Sequence, residues 1–514
     1  MKQLLIGESL KSTARKFPDK TAFVFRDRRI TYREFEDRVN RLANGLLARG
    51  YIPGDHIAIL AFNCIEYFEI LYALAKCGMT AVPVNFRLAG PEISFIINHS
   101  DARALIYQAS FRDTIEEIRS DFKNVAKDDF IVFDGEDSLE DTDYEEFISA
   151  TDPTPPEIGI EERAAWYIGY TSGTTGRPKG ALRSHRSSLL LASNLDMAHE
   201  NDVILLIMPL FHSNSIWFGS MAVYYGATTV IHHSGGFDPS EILAVMDREK
   251  ITFSSLVPTM YTMILQLPDK DNHDTTSVRR LLVSSAPLMT KTKDQILSFF
   301  SNSELFEAYG ATELGIVTWL RPEDQYRTVR SCGKVAPFCK IKLINDAGDE
   351  CEPGEVGELF AAAPFMFDGY YNQPEADAEA FRGEYVSVGD MAKMDEQGFY
   401  YVVDRKNDMI ISGGENIYPT EIDDVISKHP KVHTAAVIGV PDEKWGEAVK
   451  AVIVLKPGKE LTDKEVIAYC REHLAGYKCP KSVDFTESIP MTPTGKLLKR
   501  ELRKRYWTEF KKKI

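Results

Sequence analysis

The run YTSGTTGRPKG, Tyr170 to Gly180, sets hydroxyls and glycines against a lysine, a mixture suited to holding a phosphate. It is not a Walker A loop. Such a loop needs Gly-Lys-Ser/Thr, with backbone N–H groups wrapped around a phosphate and leading directly into a helix. Here Pro178 precedes Lys179 and removes an amide donor, and Gly180 stands where a magnesium-binding hydroxyl belongs. The run is therefore either a different phosphate device or a flexible turn, and residues elsewhere must decide between them.

Further runs carry residues with chemical potential: YGATE from Tyr309, VGD from Val388, DRKNDMIISGGENIYPTEI from Asp404 and PMTPTGKLLKR from Pro490. Together with the opening run, in this order and at these separations, they resemble the core motifs of the adenylate-forming superfamily, the acyl-CoA synthetases and their relatives. The resemblance spans nearly the whole chain. It implies an ATP-dependent carboxylic acid:CoA ligase that passes through an acyl adenylate and releases AMP and pyrophosphate.

The physical demand of that reaction is plain. A carboxylate must attack the polyanionic α-phosphate of ATP, so repulsion has to be neutralised before the reacting atoms meet. Thr171, Ser172, Gly173, Thr174, Thr175 and Gly176 supply hydroxyls and close backbone approach for the β and γ phosphates, and Lys179 adds a point charge. The resemblance implies that Glu307, Ala308, Tyr309, Gly310, Ala311 and Thr312 shape the nucleotide site, with Tyr309 on adenine and the Thr312 hydroxyl on the α-phosphate. Ser285, Ala286 and Pro287, in SSAPL, would edge the adenine. Glu313 would hold Mg²⁺, since this ion takes one or two carboxylates plus phosphate oxygens. Its structural alternative is an acid in the first turn of a helix. Asp390 and Arg405 match the pair that binds the ribose hydroxyls, or else belong to a surface ion pair. Asn407 stands where the family carries a Lys or Asp hinge.

Lys496, in a turn built by Pro493 and Gly495, is the expected catalytic cation. With an ordinary pKa of ~10.4 it joins the attacking carboxylate to the α-phosphate without proton chemistry. The resemblance further implies that the terminal domain rotates after adenylation, so that SGGEN, with Ser412, Gly413 and Gly414, walls a pantetheine tunnel. Trp445 and Lys478 are then expected against CoA. PLFHSNSIWFGS, Pro209 to Ser220, matches the acyl-pocket segment, with His212 near the reacting carboxylate. No acid stands near His212 to pair a substrate ammonium, which disfavours an amino acid. Trp217, Phe218 and Tyr261 form either an apolar pocket, fit for a fatty, cyclic or aromatic acid, or part of the core. A second enzyme reading loads the acyl group onto a carrier protein. A non-catalytic binding protein would lack Lys496 or Glu313, and oxidation of the adenylate shares the same first step.

These residues need a framework. The first part of the chain alternates β-branched runs with helical patterns: HIAIL, then Glu66 to Ala75, then TAVPV, and later TTVIHH, Asp238 to Lys250 and ITFSSLV. Such alternation predicts an α/β fold of doubly wound βαβ sheets. Between residues 333 and 403 the pattern turns to strands without long helices, a small β-barrel-like subdomain. A small mobile α+β domain follows, with helices from Thr420 to Lys428 and from Asp463 to Leu474. The expected division is 1–404 and 405–514.

The 514 residues carry a net charge of −16, which argues against a nucleic-acid partner. Seven scattered cysteines without a CxxC pair suit a reducing, cytoplasmic setting. No apolar run approaches the ~20 residues of a membrane span, and VILLIMPLF reads as a buried strand. The basic tail, Lys499 to Lys513, reads first as a solvated terminal helix, with peripheral contact to anionic lipid as the second reading. Homo-oligomerisation stays open.

Overall fold

The computed structural model describes residues 3–135, 141–171, 178–284, 288, 290–406, 408–412, 415–442, 445–491 and 497–511. The chain forms two compact units, one of Met1–Arg330, Ala336–Lys340 and Ala362–Val386, the other of Ser331–Val335, Ile341–Ala361 and Ser387–Ile514.

The first unit holds two sheets. One runs in the order Thr142–Asp143, Phe130–Phe133, Ala104–Gln108, His56–Leu60, Thr80–Pro83, Ala165–Thr171, Lys179–Ser184. All neighbours are parallel except the last pair. The other contains Gly315–Leu320, Glu304–Ala311, Arg280–Val283, Phe253–Leu256, Val203–Leu206, Thr228–Ile231, Thr21–Phe25 and Arg28–Thr31, again parallel but for a hairpin at each end. Strands such as HIAIL and TAVP are buried on both faces, as expected of parallel strands covered by helices.

Local signals set the helix ends. Thr31 and Glu34 close a capping box on Tyr32–Ala48, and Asp238 accepts from Ser240 N and Glu241 N at the start of Pro239–Arg248. Helix Ile65–Cys77 stops at Gly78, whose φ of 67° suits a residue without a Cβ. VILLIMPLF is only partly a strand. Val203–Leu206 pair in the sheet, but Pro209 lacks an N–H for a ladder, and Leu210 N donates instead to Asn63 Oδ1 at 2.7 Å.

The second unit carries the antiparallel strands Val356–Ala362, Asp390–Met394 and Tyr400–Arg405, then a terminal sheet of Glu415–Ile417, Ile410–Ser412, Gly446–Leu455 and Val432–Asp442, with Ser482–Phe485 parallel to Gly446–Leu455. Helices Pro419–Ser427 and Asp463–His473 bury Ile422, Ile426, Val466 and Cys470 against Val437, Val449 and Ile453. Among the described residues, no helix is long and apolar enough to cross a membrane.

His185, at the start of helix His185–Asn194, gives the first unit a pH response. The ring is wholly buried, and its Nδ1 accepts from Ile6 N at 3.4 Å. Burial pushes the imidazole down to about 4. The unfolded chain keeps a value near ~6.5, so between the two it binds a proton that the folded chain does not. This contribution is whole above the unfolded value and is lost as pH falls through the folded one, by at most about 3 kcal/mol. Denaturant unfolding of wild type and His185→Leu checks this: their stability gap should shrink steadily as pH falls from 7 to 4. Parallel pH curves would place the response elsewhere.

Candidate active site

Thr171 and Lys179 face each other where Ala165–Thr171 and Lys179–Ser184 pair antiparallel. The run between them therefore joins two strands of a hairpin, unlike a Walker loop, which passes from strand to helix. Thr171 Oγ1 donates to Glu313 Oε1 at 3.2 Å, and Tyr370 Oη donates to the same oxygen at 2.9 Å. Burial first, and the Glu313 charge second, push the Tyr370 phenol far above its ordinary range, so it stays a donor. Lys179 Nζ lies 5.0 Å from the Tyr370 ring centroid. A lysine, two hydroxyls and a carboxylate thus meet at the base of the hairpin.

Glu313 is in a turn between Glu304–Ala311 and Gly315–Leu320, not in the first turn of a helix. The hairpin closes because Gly315 adopts a φ of +71°, and because a Cβ on Gly310 would stand 2.1 Å from the Gly315 carbonyl oxygen. Phe367 N donates to the Glu313 carbonyl at 2.9 Å and Arg183 Nη1 to the Thr312 carbonyl at 3.2 Å, which fixes both peptides. Glu313 is 6% exposed, and both hydroxyls bond to Oε1, so Oε2 keeps lone pairs for a hard cation.

The acyl-pocket segment lies close by. A Cβ on Gly169 would meet Thr312 Cγ2 at 3.0 Å and Ser213 Oγ at 3.3 Å, so strand, hairpin turn and helix Ser213–Tyr225 converge there. His212 precedes that helix, its ring 4.3 Å from the Phe211 ring. Asn214 Nδ2 donates to Ser284 Oγ at 3.4 Å, beside the expected adenine edge. Phe218 and Tyr261 belong to the core: Phe218 packs on Phe253, and Tyr261 Oη donates to the Leu282 carbonyl. Trp217 is also core-packed, its Nε1 donating to Tyr167 Oη at 2.9 Å. Glu307 is tied up in a buried ion pair, 2.6 Å from Lys293 Nζ.

In the second unit, Asp390 and Arg405 are cross-strand partners. Ser412 pairs with Gly446, the chain neighbour of Trp445, a residue 45% exposed. Lys478 is already neutralised, its Nζ 2.6 Å and 2.9 Å from the two Glu421 oxygens. Asp404 Oδ2 accepts from Thr420 N and Oγ1 at 2.9 and 3.0 Å and so caps helix Pro419–Ser427.

The AMP-binding enzyme family matches residues 10–371, and the AMP-binding enzyme C-terminal domain matches residues 421–496. The chain belongs to this family. A feruloyl-CoA synthase from Amycolatopsis sp is 37% identical over 503 residues, covering 96% of this chain and 97% of the relative. A fatty acid–[acyl-carrier-protein] ligase, ScoC, from Streptomyces coeruleorubidus is 32% identical over 97% of this chain and 95% of its own. The o-succinylbenzoate CoA synthetase of Bacillus subtilis, solved in complex with the acyl-adenylate intermediate OSB-AMP, superposes with a TM-score of 0.85 at 31% identity, covering 96% and 97% of the two chains.

In this AMP-binding enzyme, Thr171, Lys179, Thr312 and Glu313 come together, while Ser172 to Gly176, Ser285 to Pro287, Asn407, Gly413, Gly414 and Lys496 lie outside the described residues. Two participants escaped the sequence reading. Tyr370, in the run FDGYYN, carried no signal of its contact with Glu313. Lys499, counted with the solvated basic tail, is instead buried, its Nζ 2.7 Å from Asp423. Burial pushes the Asp423 carboxyl up to about 6 against the pull of that lysine.

Proposed function

We propose that this AMP-binding enzyme is an ATP-dependent carboxylic acid:CoA ligase. A carboxylate oxygen of a fatty, cyclic or aromatic acid attacks the α-phosphorus of ATP, the bond to the bridging oxygen breaks, and pyrophosphate leaves. The thiol sulfur of CoA then attacks the acyl carbon of the adenylate, giving the thioester and AMP. The observation that carries this reading is the cluster of Thr171, Lys179, Thr312 and Glu313, which sets hydroxyls, a cation and a carboxylate where an antiparallel hairpin of each sheet meets the other. Hydroxyls and Lys179 would offset phosphate charge, and the Thr312 hydroxyl would face the α-phosphate. Glu313 would hold Mg²⁺, which supplies charge neutralisation between carboxylate and phosphates. Asp390 and Arg405 would take the ribose diol, and Tyr309 the adenine. Lys496 would bridge the two reacting anions.

The division into an adenylation domain to residue 404 and a terminal module from 405 belongs to this proposal, as do a cytoplasmic setting and CoA contacts at Ser412 and Trp445. The Lys478 contact with CoA would require it to leave Glu421. A second reading, transfer to a carrier protein, is favoured by the similarity to the carrier-protein ligase ScoC. A panel of carboxylic acids scored for AMP and pyrophosphate, with and without CoA, tests both. The expected result is AMP release that needs acid and CoA together, matched by acyl-CoA. Turnover without CoA would move the assignment to a carrier acceptor, and no acid-dependent AMP at all would end the ligase reading.

A further inference from the structure

Arg183 is the one large cationic side chain among the most deeply buried residues described, with 0% exposure. It lies on Lys179–Ser184, opposite Tyr167, on the face where Gly169 meets Thr312 and Ser213. Nη1 donates to the Thr312 carbonyl at 3.2 Å, and the guanidinium carbon stands 5.5 Å from the centroid of the Trp217 ring. Among the described residues, Nε and Nη2 have no hydrogen-bond partner. Burial holds the guanidinium below its ordinary value, against the opposing pull of Tyr167 and then of Asp368 and Glu313.

The two idle nitrogens are not a random pair. Nε–H and Nη2–H form one edge of the planar guanidinium and point in parallel, the fork that matches the two oxygens of a carboxylate. A brace for the Thr312 peptide needs Nη1 alone, and a smaller or neutral donor would provide it without burying two further donors and a charge. The Tyr167–Arg183 pair lies two residues deeper than the Gly169–Ala181 pair, about 7 Å further from the hairpin tip. The Nε–Nη2 edge lies on the side of the planar guanidinium opposite Nη1 and so faces away from the Thr312 peptide that Nη1 holds, which suits it to a group at the far end of a short chain or ring rather than to the carboxylate that must meet the α-phosphate.

We propose that Arg183 is a specificity residue that receives a second carboxylate on the substrate acid, so that the ligase takes short dicarboxylic acids, aliphatic or ring-bearing. This rests on the ligase reading above. The edge is sealed from water in this structure, so ligand entry is accompanied by a rotamer change among its neighbours. The ion pair then forms at low dielectric, where it discriminates strongly.

Matched acids test it: hexanoate against adipate, and benzoate against terephthalate, each scored by kcat/KM for pyrophosphate release with the full chain. The wild type should favour the dicarboxylate by about tenfold or more in at least one pair. Arg183→Met should shift that ratio by roughly 10²-fold toward the monocarboxylate, with the KM for ATP changed much less. A wild-type preference for the monocarboxylate in both pairs overturns the proposal. So does an equal loss on all acids in Arg183→Met, which would make the residue a brace for Thr312. Should the variant fail to fold, the wild-type ratios decide. Activity with monocarboxylates only removes this inference and leaves the ligase reading standing, whereas silence with every acid removes both.

Discussion

Lys496→Ala should lower the rate of adenylation by roughly 10²-fold or more, while thioester formation from a supplied acyl adenylate should be largely retained. The reason is electrostatic. Two anions must reach bonding distance, and an ammonium between them removes most of the repulsion in a site from which water is excluded. That cation is needed only while both the carboxylate and the triphosphate are charged. Once the adenylate has formed, the acyl carbon is neutral and the thiol attack has no comparable barrier. The flanks of this lysine are well held: Met491 and Leu497 bridge in antiparallel fashion, Leu498 N donates to the Pro490 carbonyl at 2.8 Å, and Lys499 is pinned to Asp423. Pyrophosphate release from acid and ATP measures the first step, and AMP release from synthetic adenylate plus CoA measures the second. A loss of equal size in both would show that the substitution damages the terminal module rather than a charge used in one step.

Motif order and helix periodicity were legible because they are local. The helices expected at Glu66 to Ala75 and Asp463 to Leu474 appear as Ile65–Cys77 and Asp463–His473, each fixed by capping chemistry within a few residues. What was hidden depends on partners distant in sequence. Lys499 sits in a charge run that reads as a solvated face, and only the fold brings Asp423 to it. Phe218 and Tyr261 are apolar at helical spacing, a pattern that a pocket wall and a core share equally. Glu313 had a structural alternative as an acid in the first turn of a helix, where it would face the positive end of the dipole. The hairpin is decided by Gly310 and Gly315, whose close approach is invisible without the pairing register. Arg183 falls at an inward position of its strand, but alternation alone says only that a charge is buried, not what it awaits.

Glu313→Gln should lower adenylation by about 10²- to 10³-fold and raise the Mg²⁺ concentration needed for half-maximal rate by about tenfold or more. The substitution keeps the side chain's volume and an oxygen that can still accept from Thr171 and Tyr370, so the hairpin base remains intact. What it removes is a full negative charge, and with it the main attraction for a hard divalent cation. Tyr370→Phe is the informative companion. It deletes one hydrogen bond of 2.9 Å to the same carboxylate and leaves the charge. Because a bond to a charged acceptor is worth about 1.5–3 kcal/mol, that variant should lose some rigidity at the turn, with a smaller fall in rate and a nearly unchanged Mg²⁺ requirement. Titrating Mg²⁺ against pyrophosphate release in the three proteins separates the two effects. If Glu313→Gln and Tyr370→Phe fall together, with the same Mg²⁺ curve as the wild type, then the carboxylate serves only to anchor Thr171 and Tyr370. The cation would then be held by phosphate oxygens and water without it.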